Sequence, residues 1–506
     1  MMSSRVVHAP CSVPSPRSAA IVLDGSALGV EDVVRLADGA AHPVPEAGAL
    51  RRAEQSWTTA RRIAATGRVY GRSTGVGANR DEDVPSEAAA GHGLRLLRSH
   101  AGAIGERLPA RQVRAMLAVR ANQLLAGGAG LRPGVITALC ESLETGAYPA
   151  VNEFGSVGTG DLAALAQVGL ALAGEHPWHG RGAPAPQPLD NNDALALISS
   201  NALTLGQSAL ALHELRGLVG ATQVVAALSL LAVDGSHEAY AAPVHAARPH
   251  HGSTEVARRM RELIGAADRP TPPLGRIQDP YGLRCLPQIH GPAHDAADAL
   301  EQVLTVEINA AAENPLIAPE DLAAYHHGGF YQAQLALALD HFRLALTQVA
   351  RLSTSRLSTL NEPAYTRLRP FLADHEPASS GVMILEYAAG AALGDLRAFS
   401  APASLGHAVL SRGVEEQASF ASLAARQTLR ACGAYRLVVG CELVAATRAL
   451  RQRDLSPDPG LPVGRAFALA ATVLDADLAD RPLTDDVTAA AALLDRFTDI
   501  WRGSAS

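Results

Sequence analysis

Apolar residues recur at steps of three and four positions over several long stretches of the chain, as they do on one face of an α-helix. The clearest of these stretches are 110–125, 296–311, 335–352 and 418–450. Residues rich in proline and glycine separate them, and helices are expected to end there, near 146–160, 174–188, 265–282, 314–329 and 453–465. Alternating β-branched residues are few, and aromatic residues make up only 4% of the chain. The pattern therefore predicts an all-α fold built on a long central helix bundle.

Composition along the chain divides it into four regions. Residues 1–25 are rich in Ser, Pro and Ala and lack a continuous apolar run, which predicts a disordered leader and not a secretory signal. We expect a smaller mixed N-terminal region over 26–200, a central helical bundle over 201–450 and a helical tail over 451–506. The most apolar stretch, 203–233, contains His213, Glu214 and Arg216, so it is expected to be a buried helix and not a membrane span.

Overall composition argues against several functions. A net charge of −7 without a long basic run disfavours nucleic acid as a partner. The five scattered cysteines are typical of reduced thiols in a cytoplasmic protein. The chain contains no lysine, so it forms neither the Schiff base of a pyridoxal-phosphate (PLP) enzyme nor the usual lysine-ended phosphate loop. Histidine pairs at 250–251 and 326–327 lack partners at metal-ligand spacing, so they are interpreted as surface loops and no metal site is expected.

Three irregular segments interrupt the helical pattern, and functional side chains are expected in such segments. The first is YGRSTGVG, from Tyr70 to Gly77, and the second is GSVGTGDL, from Gly155 to Leu162. The third is QDPYGLRC, from Gln278 to Cys285. Taken singly, each is equally well a surface loop or a turn at the start of a helix.

Taken together and in order, these segments resemble signature segments of the histidine and aromatic amino-acid ammonia-lyase family. That family carries Tyr-Gly-x-x-Thr-Gly-x-Gly, Gly-Ser-Val-Gly-Ala-Ser-Gly-Asp-Leu-Ala and Gln-Asp-x-Tyr-x-x-Arg. Further matches follow in the same order between about residue 30 and residue 450, at 97–101, 120–122, 313–316, 328–331, 380–384 and 415–419. The resemblance implies a fumarase/aspartase-like helical superfold, a homotetramer with active sites shared between subunits, and elimination of ammonia from an amino acid.

The family resembled here activates the substrate amine with a methylidene-imidazolone (MIO) group, which forms when an Ala-Ser-Gly tripeptide cyclises and loses water. The matching segment of this chain is one residue shorter, with Gly158, Thr159 and Gly160 in place of the tripeptide. Threonine also dehydrates, and its extra methyl would crowd the carbon that the amine attacks. Two readings stay open: the segment cyclises to an ethylidene, or it does not cyclise and Thr159 keeps its hydroxyl.

The resemblance also assigns roles to single residues. Tyr70 resembles the base that removes the β-proton, and a phenol needs nearby positive charge or hydrogen-bond donors for that role. Arg284 resembles the arginine that binds the substrate carboxylate through its planar fork. The other positions that match substrate-binding or ring-packing residues of the family are His100, Gln278, Tyr281, Tyr331 and Glu415. The chain departs from the family at its substrate-binding asparagine, where Ser199 takes the place and Asn201 lies two residues further on.

The pair formed by His100 and Glu415 resembles that of histidine ammonia-lyases, since the phenylalanine and tyrosine enzymes have Gln at the second position. The leading hypothesis is therefore a carbon–nitrogen lyase that acts on L-histidine or a related amino acid. One alternative is a 2,3-aminomutase, which returns the ammonia to Cβ. Another is a homologue without the electrophile that binds a ligand or catalyses a different elimination or isomerisation.

Overall fold

The computed structural model of the chain describes residues 19–271 and 276–503. The described residues are mainly helical, which confirms the predicted all-α class. The α-helices in chain order are α1 (Val30–Ala37), α2 (Ala47–Thr66), α3 (Ser86–His100), α4 (Ala110–Leu125), α5 (Pro133–Thr145), α6 (Leu162–Leu172), α7 (Ala194–Ile198), α8 (Ala202–Ala232), α9 (Ala242–Ala246), α10 (His251–Ile264), α11 (Tyr281–Arg284), α12 (Leu286–Ile308), α13 (Ala333–Asn361), α14 (Pro363–Thr366), α15 (Ile384–Phe399), α16 (Ala421–Gln452), α17 (Pro462–Val473) and α18 (Thr484–Arg502). Short 3₁₀ turns lie at Gly77–Asn79, Glu238–Tyr240, Pro370–Leu372, Ala403–Leu405 and Ser411–Gly413.

Short strands occur between the helices and pair two by two. They are β1 (Ala19–Leu23), β2 (Ala41–Pro45), β3 (Ile104–Arg107), β4 (Tyr148–Pro149), β5 (Asn152–Phe154), β6 (Trp178–His179), β7 (Leu316–Ala318) and β8 (Ala323–Tyr325). β1 and β2 are parallel, whereas β3 with β5, β4 with β6, and β7 with β8 are antiparallel. All of them except β7 and β8 precede residue 200, so mixed structure is concentrated towards the N-terminus.

Each of the predicted helical stretches coincides with a long helix. α4 has the predicted bounds of 110–125, and the stretches at 296–311, 335–352 and 418–450 correspond to α12, α13 and α16. The predicted breaks at 146–160, 174–188 and 314–329 fall between helices, since the proline and glycine residues there disfavour helical backbone. Those at 265–282 and 453–465 extend into the first residues of α11 and α17. Amphipathic periodicity therefore located the bundle correctly.

The predicted leader of residues 1–25 is only partly within the described residues, because 1–18 lie outside them. Ala19–Leu23 form strand β1 and pair with β2 along its whole length. Ile21 and Leu23 point into the core, with exposures of 6% and 0%. The prediction of disorder is wrong for 19–23, because the apolar residues of this stretch alternate and gain a partner strand once the chain has folded.

Helix α8 lies at the centre of the fold and packs against α4, α12, α16 and α18. Almost every side chain of α8 is buried, which explains why the helix is apolar on all faces. The segment Ala194–Ala232, which contains α8, is the one helical stretch of the described residues that is long and apolar enough to cross a membrane. Since 89% of its most apolar window is buried inside the protein, it is a core helix, as predicted.

A buried ion pair joins the central helices. Arg356 of α13 donates two hydrogen bonds to the Glu442 carboxylate of α16, at 2.6 and 2.8 Å, and both side chains are inaccessible to solvent. Ser229 of α8 and Ser353 of α13 donate to the same carboxylate at 2.7 and 2.6 Å. Each oxygen of the Glu442 carboxylate therefore accepts two hydrogen bonds, and the pair fixes the relative positions of three helices.

Candidate active site

A cavity of about 690 Å³ opens where the irregular segments between the helices meet. Its wall combines residues from the Tyr70 segment, the Thr159 segment, the end of α7, the loop before α13 and the loop before α16. The lining residues are Tyr70, Val76, Gly77, Ala78, Asn79, Arg80, His100, Thr159, Gly160, Leu162, Leu195, Ile198, Ser199, Ser200, Asn314, His326, Phe330, Tyr331, Ser411, Val414, Glu415, Glu416 and Gln417. A concave wall with several convergent polar groups is the usual form of a small-molecule site.

The loop that carries Tyr70 is anchored by the buried Arg72. The Arg72 guanidinium donates to the carbonyl oxygens of Ala129, Asn192 and Gly130, at 2.7, 2.8 and 3.2 Å. Burial lowers the pKa of Arg72 to about 10, so the side chain stays charged at neutral pH. These bonds hold the loop in one conformation and therefore fix the position of the neighbouring tyrosine.

The Tyr70 phenol oxygen accepts a hydrogen bond from the backbone N–H of Gly77, at 2.8 Å. Burial raises the pKa of Tyr70 above its ordinary value, and the nearby Glu415 carboxylate raises it further. The Gly77 donor and the Arg80 guanidinium act in the opposite direction. Within one chain the raising influences prevail, so a phenolate at neutral pH requires a further positive charge near the phenol oxygen.

Serine hydroxyls hold the segment between β5 and α6. Ser156 Oγ accepts from the Gly158 N–H at 3.1 Å and donates to the Gly160 carbonyl at 3.0 Å. Ser419 Oγ, from the loop before α16, donates to the Gly158 carbonyl at 2.7 Å. Asp161 follows and anchors the start of α6, because its buried carboxylate accepts from the Thr204 N–H and hydroxyl at 2.8 and 2.9 Å.

These residues fit the formation of the family's electrophile, with one difference in the first position. Thr159 supplies the hydroxyl to be eliminated and lines the cavity, and the Gly160 N–H has no hydrogen-bond partner among the described residues. Gly158 adopts a φ of +91°, and a Cβ there would lie 2.3 Å from Ser419 Oγ and 2.9 Å from the Phe420 nitrogen. The shortened segment therefore holds glycine where the family has alanine, because no side chain fits.

Carboxylate and imidazole side chains both line the cavity. Glu415 and His100, which the sequence predicts to bind the substrate side chain, both line it. The His100 Nδ1 atom lies 3.0 Å from Ser99 Oγ and 2.9 Å from the Leu96 carbonyl, so its ring is oriented by the end of α3. Tyr331 also lines the cavity, next to Phe330.

Several lining residues were not predicted from the sequence. His326 was interpreted as part of a surface loop, but its ring packs edge-on against Tyr70 with the ring centres 6.3 Å apart. Arg80 and Glu416 lie beside residues that the motifs do mark, so their closeness in sequence to Gly77 and Glu415 was the available signal. Asn314 lies within the matched segment 313–316 and His326 lies between that segment and 328–331, but the motifs gave neither residue a role.

The two residues at the position of the family's substrate-binding asparagine differ in their placement. Ser199 lines the cavity, and its hydroxyl accepts from the Asn314 N–H at 3.0 Å. Asn201 is not among the residues that line the cavity of one chain, so its contact with substrate stays a prediction. Its side chain donates to the Phe330 carbonyl at 2.7 Å and so supports the wall from behind.

Gln278, Tyr281 and Arg284 are not brought to this cavity within the chain. They lie at helix α11, where Tyr281 is 66% exposed and the Arg284 guanidinium stacks 4.4 Å from the Tyr281 ring centre. The turn itself is firmly held, because Tyr240 Oη donates to the Leu283 carbonyl at 2.8 Å. Arg284 is half-buried beside the exposed Tyr281, and its buried Nε has no hydrogen-bond partner among the described residues.

Among the described residues, no group of three or more His, Cys, Asp or Glu side chains is arranged to hold a metal ion. The histidines at 250–251 and 326–327 belong to no such group, and His327 instead hydrogen-bonds to the Glu313 carbonyl at 2.7 Å.

The cavity lies in a helical bundle and is lined by a tyrosine loop, a Gly-Thr-Gly segment and two carboxylates. This combination is typical of a helical lyase. Residues 28–472 match the family described as aromatic amino acid lyase. A histidine ammonia-lyase of Geobacillus kaustophilus is 36% identical over 443 residues, which are 84% of this chain and 87% of the relative. The chain therefore belongs to the aromatic amino acid lyase family.

Solved structures agree with this assignment. An ergothioneine-degrading ergothionase from Treponema denticola has a TM-score of 0.88 at 26% identity, with 95% of this chain and 99% of that chain covered. A tyrosine aminomutase from Streptomyces globisporus has the same TM-score at 27% identity, with 96% and 98% covered. The predicted helical lyase fold is thus confirmed over almost the whole chain.

Proposed function

We propose that this protein is a carbon–nitrogen lyase that eliminates ammonia from L-histidine or a closely related amino acid. The observation that carries the proposal is that Tyr70, Thr159 and Glu415, from three distant parts of the sequence, line one cavity. Together they offer a proton acceptor, a hydroxyl in an activatable backbone segment and a carboxylate for a polar side chain. The 36% identity to a histidine ammonia-lyase supports the same substrate class.

The chemistry needs two forms of help, because the β-hydrogen of an amino acid is not acidic and ammonia leaves poorly. The electrophile derived from Gly158, Thr159 and Gly160, once formed, supplies activation of the substrate amine. Tyr70 takes the β-proton on its phenolate oxygen, while the Gly77 N–H stabilises that oxygen before the transfer. Glu415 accepts a hydrogen bond from the imidazole of the substrate and orients it towards Tyr70.

The substrate carboxylate needs a cation, and we propose that Arg284 supplies it from another subunit of a homotetramer. Arg284 and Tyr281 lie outside the cavity of their own chain, on a turn held by Tyr240, where Tyr281 is exposed and Arg284 is half-buried. Large apolar side chains are exposed nearby in sequence and on the bundle helices, among them Ile277, Leu337, Ile384 and Tyr387. Exposed apolar surface of this kind is typical of a subunit interface. The same guanidinium would add the positive charge that lowers the pKa of Tyr70.

Mixing two inactive variants tests the shared site. Tyr70→Phe lacks the base, and Arg284→Ala lacks the carboxylate-binding cation, so each homotetramer is expected to be inactive. If the two residues come from different subunits, mixed tetramers regain about one quarter of the wild-type sites. A monomer in solution, or no recovered activity after subunit exchange, would contradict the shared site.

The reaction itself is tested with L-histidine by following the conjugated acrylate product in the ultraviolet and the released ammonia. Thr159→Ala removes the eliminable hydroxyl and is expected to abolish turnover, while Thr159→Ser is expected to retain it. A β-amino acid product in place of the acrylate would identify an aminomutase, the activity named for one similar structure. The predicted cytoplasmic location belongs to this proposal as well.

A second candidate function is favoured by the altered Gly158-Thr159-Gly160 segment and by the similarity to an ergothioneine-degrading enzyme. Ergothioneine is a betaine derived from histidine, and its trimethylammonium group already carries the charge that makes a good leaving group. Elimination from such a substrate needs a base and a site that binds the substrate carboxylate, but it needs no electrophile. Glu415 and Glu416 supply negative charge in the cavity for a substrate of this type.

One comparison separates the two functions. Wild-type protein and Thr159→Ala are each given L-histidine and ergothioneine, and amine release is measured. Histidine turnover that depends on Thr159 supports the ammonia-lyase. If Thr159→Ala still turns over ergothioneine and neither protein turns over histidine, the ammonia-lyase proposal is wrong. The protein would then catalyse the elimination that needs no electrophile.

A further inference from the structure

The loop before α16 reaches the Gly158-Thr159-Gly160 segment through a single hydroxyl. Ser419 Oγ donates to the Gly158 carbonyl at 2.7 Å and accepts from the Ala421 N–H, in the first turn of α16, at 3.3 Å. Ser419 is only 4% exposed, so water does not compete for these bonds. A hydroxyl that accepts one hydrogen bond becomes a better donor of another, and the N-terminus of a 32-residue helix adds positive potential.

The carbonyl that Ser419 contacts is the one that cyclisation consumes. In that reaction the Gly160 nitrogen forms a bond to the Gly158 carbonyl carbon, and the carbonyl oxygen leaves as water with the hydrogens of the Thr159 and Gly160 nitrogens. A second water takes the Thr159 hydroxyl and its Cα hydrogen, which leaves a double bond between Cα and Cβ. Two waters are lost and no oxidant or reductant is required. Negative charge develops on the Gly158 oxygen when the nitrogen attacks.

The surrounding bonds leave the two reacting groups ready. Ser156 Oγ ties the Gly158 N–H to the Gly160 carbonyl, so the chain folds back across Thr159. The Phe420 N–H fixes the preceding Val157 carbonyl at 2.8 Å. The Gly160 N–H, which must attack, has no partner among the described residues. Ser419 thus stands at the oxygen that must be polarised, while the attacking Gly160 nitrogen is engaged in no hydrogen bond among the described residues.

We propose that Ser419 promotes electrophile formation, because its hydroxyl stabilises the charge that develops on the Gly158 oxygen during cyclisation. The role is that of an oxyanion donor in a self-processing reaction. It rests on the electrophile-dependent form of the proposed function. It also explains why Gly158 is glycine, since a side chain there would displace the Ser419 hydroxyl.

The test is a mass measurement on the full chain, with Ser422→Ala as the matched control. Ser422 lies three residues after Ser419 and also donates one partly buried hydrogen bond to the segment between β5 and α6. Its acceptor is the Ser156 carbonyl, at 2.8 Å, and not the Gly158 carbonyl. The full-length protein is digested at intervals after synthesis, and the mass of the peptide that spans 155–165 is measured by mass spectrometry. Wild type and Ser422→Ala are expected to lose two waters, whereas Ser419→Ala is expected to cyclise about 10²-fold more slowly.

Each outcome is decisive. Cyclisation of Ser419→Ala at the wild-type rate overturns the role of Ser419 and leaves the proposed lyase intact. If the wild-type peptide keeps its full mass, the electrophile does not form. That result would overturn both the role of Ser419 and the electrophile-dependent form of the proposed function. If Ser419→Ala does not fold, Ser419→Cys decides, because the thiol has a similar shape but is a weak donor. Slow cyclisation of that variant supports the proposal, and the wild-type rate overturns it.

Discussion

Restoring the family's alanine at position 158 is expected to damage this protein. Gly158 has a φ of +91°, a conformation that costs an L-residue about 1–2 kcal/mol. The new Cβ would also lie 2.3 Å from Ser419 Oγ, 2.8 Å from the Ala421 nitrogen and 2.9 Å from the Phe420 nitrogen. The last two atoms belong to the backbone and do not turn away, so overpacking adds about 1–3 kcal/mol.

The free energy of unfolding of Gly158→Ala is therefore expected to fall by about 2–5 kcal/mol, the sum of these two contributions. Denaturant unfolding of the purified protein measures it, and the peptide mass across 155–165 shows whether cyclisation is lost as well. Gly433→Ala is the control, because Gly433 lies inside α16 with no atom within 4 Å of the added Cβ. That substitution is expected to stabilise by about 0.4–1 kcal/mol. Equal stability of Gly158→Ala and wild type would refute the argument from steric fit.

Two further predictions concern the base and the arginine-bearing turn. The pKa of Tyr70 is raised by Glu415 and lowered by Arg80, and a base acts only when deprotonated, so kcat/KM should rise with pH through this pKa. Glu415→Gln is expected to move the rise of kcat/KM to lower pH, and Arg80→Gln is expected to move it to higher pH. If both substitutions moved the rise in the same direction, Tyr70 would not be the base. Tyr240→Phe leaves a buried carbonyl of α11 unpartnered, which should cost about 1–3 kcal/mol and raise KM more than it lowers kcat. Tyr435→Phe also loses a buried hydroxyl contact, but away from α11, so its KM should stay unchanged; a similar KM in both variants would remove the positioning role of Tyr240.

The fold and much of the cavity wall were predictable, since they depend on local features of the sequence. The spacing of apolar residues gave α4 its bounds, and short motifs marked Tyr70, Thr159 and Glu415 as site residues. His326 was missed because its position depends on how the loop before α13 packs against the tyrosine loop. No spacing rule relates segments that are so far apart along the chain.

The sequence alone determined the helical class, the order of the helices and the chemical groups available, because helical periodicity and residue chemistry are properties of short stretches. Only the tertiary structure decided which groups meet. It placed Ser419 against the Gly158 carbonyl, bonded Asn201 to the Phe330 carbonyl and stacked Arg284 on Tyr281 outside the cavity. Such distances are set by the packing of α8, α13 and α16 around one core, and packing depends on contacts between residues that are remote in sequence.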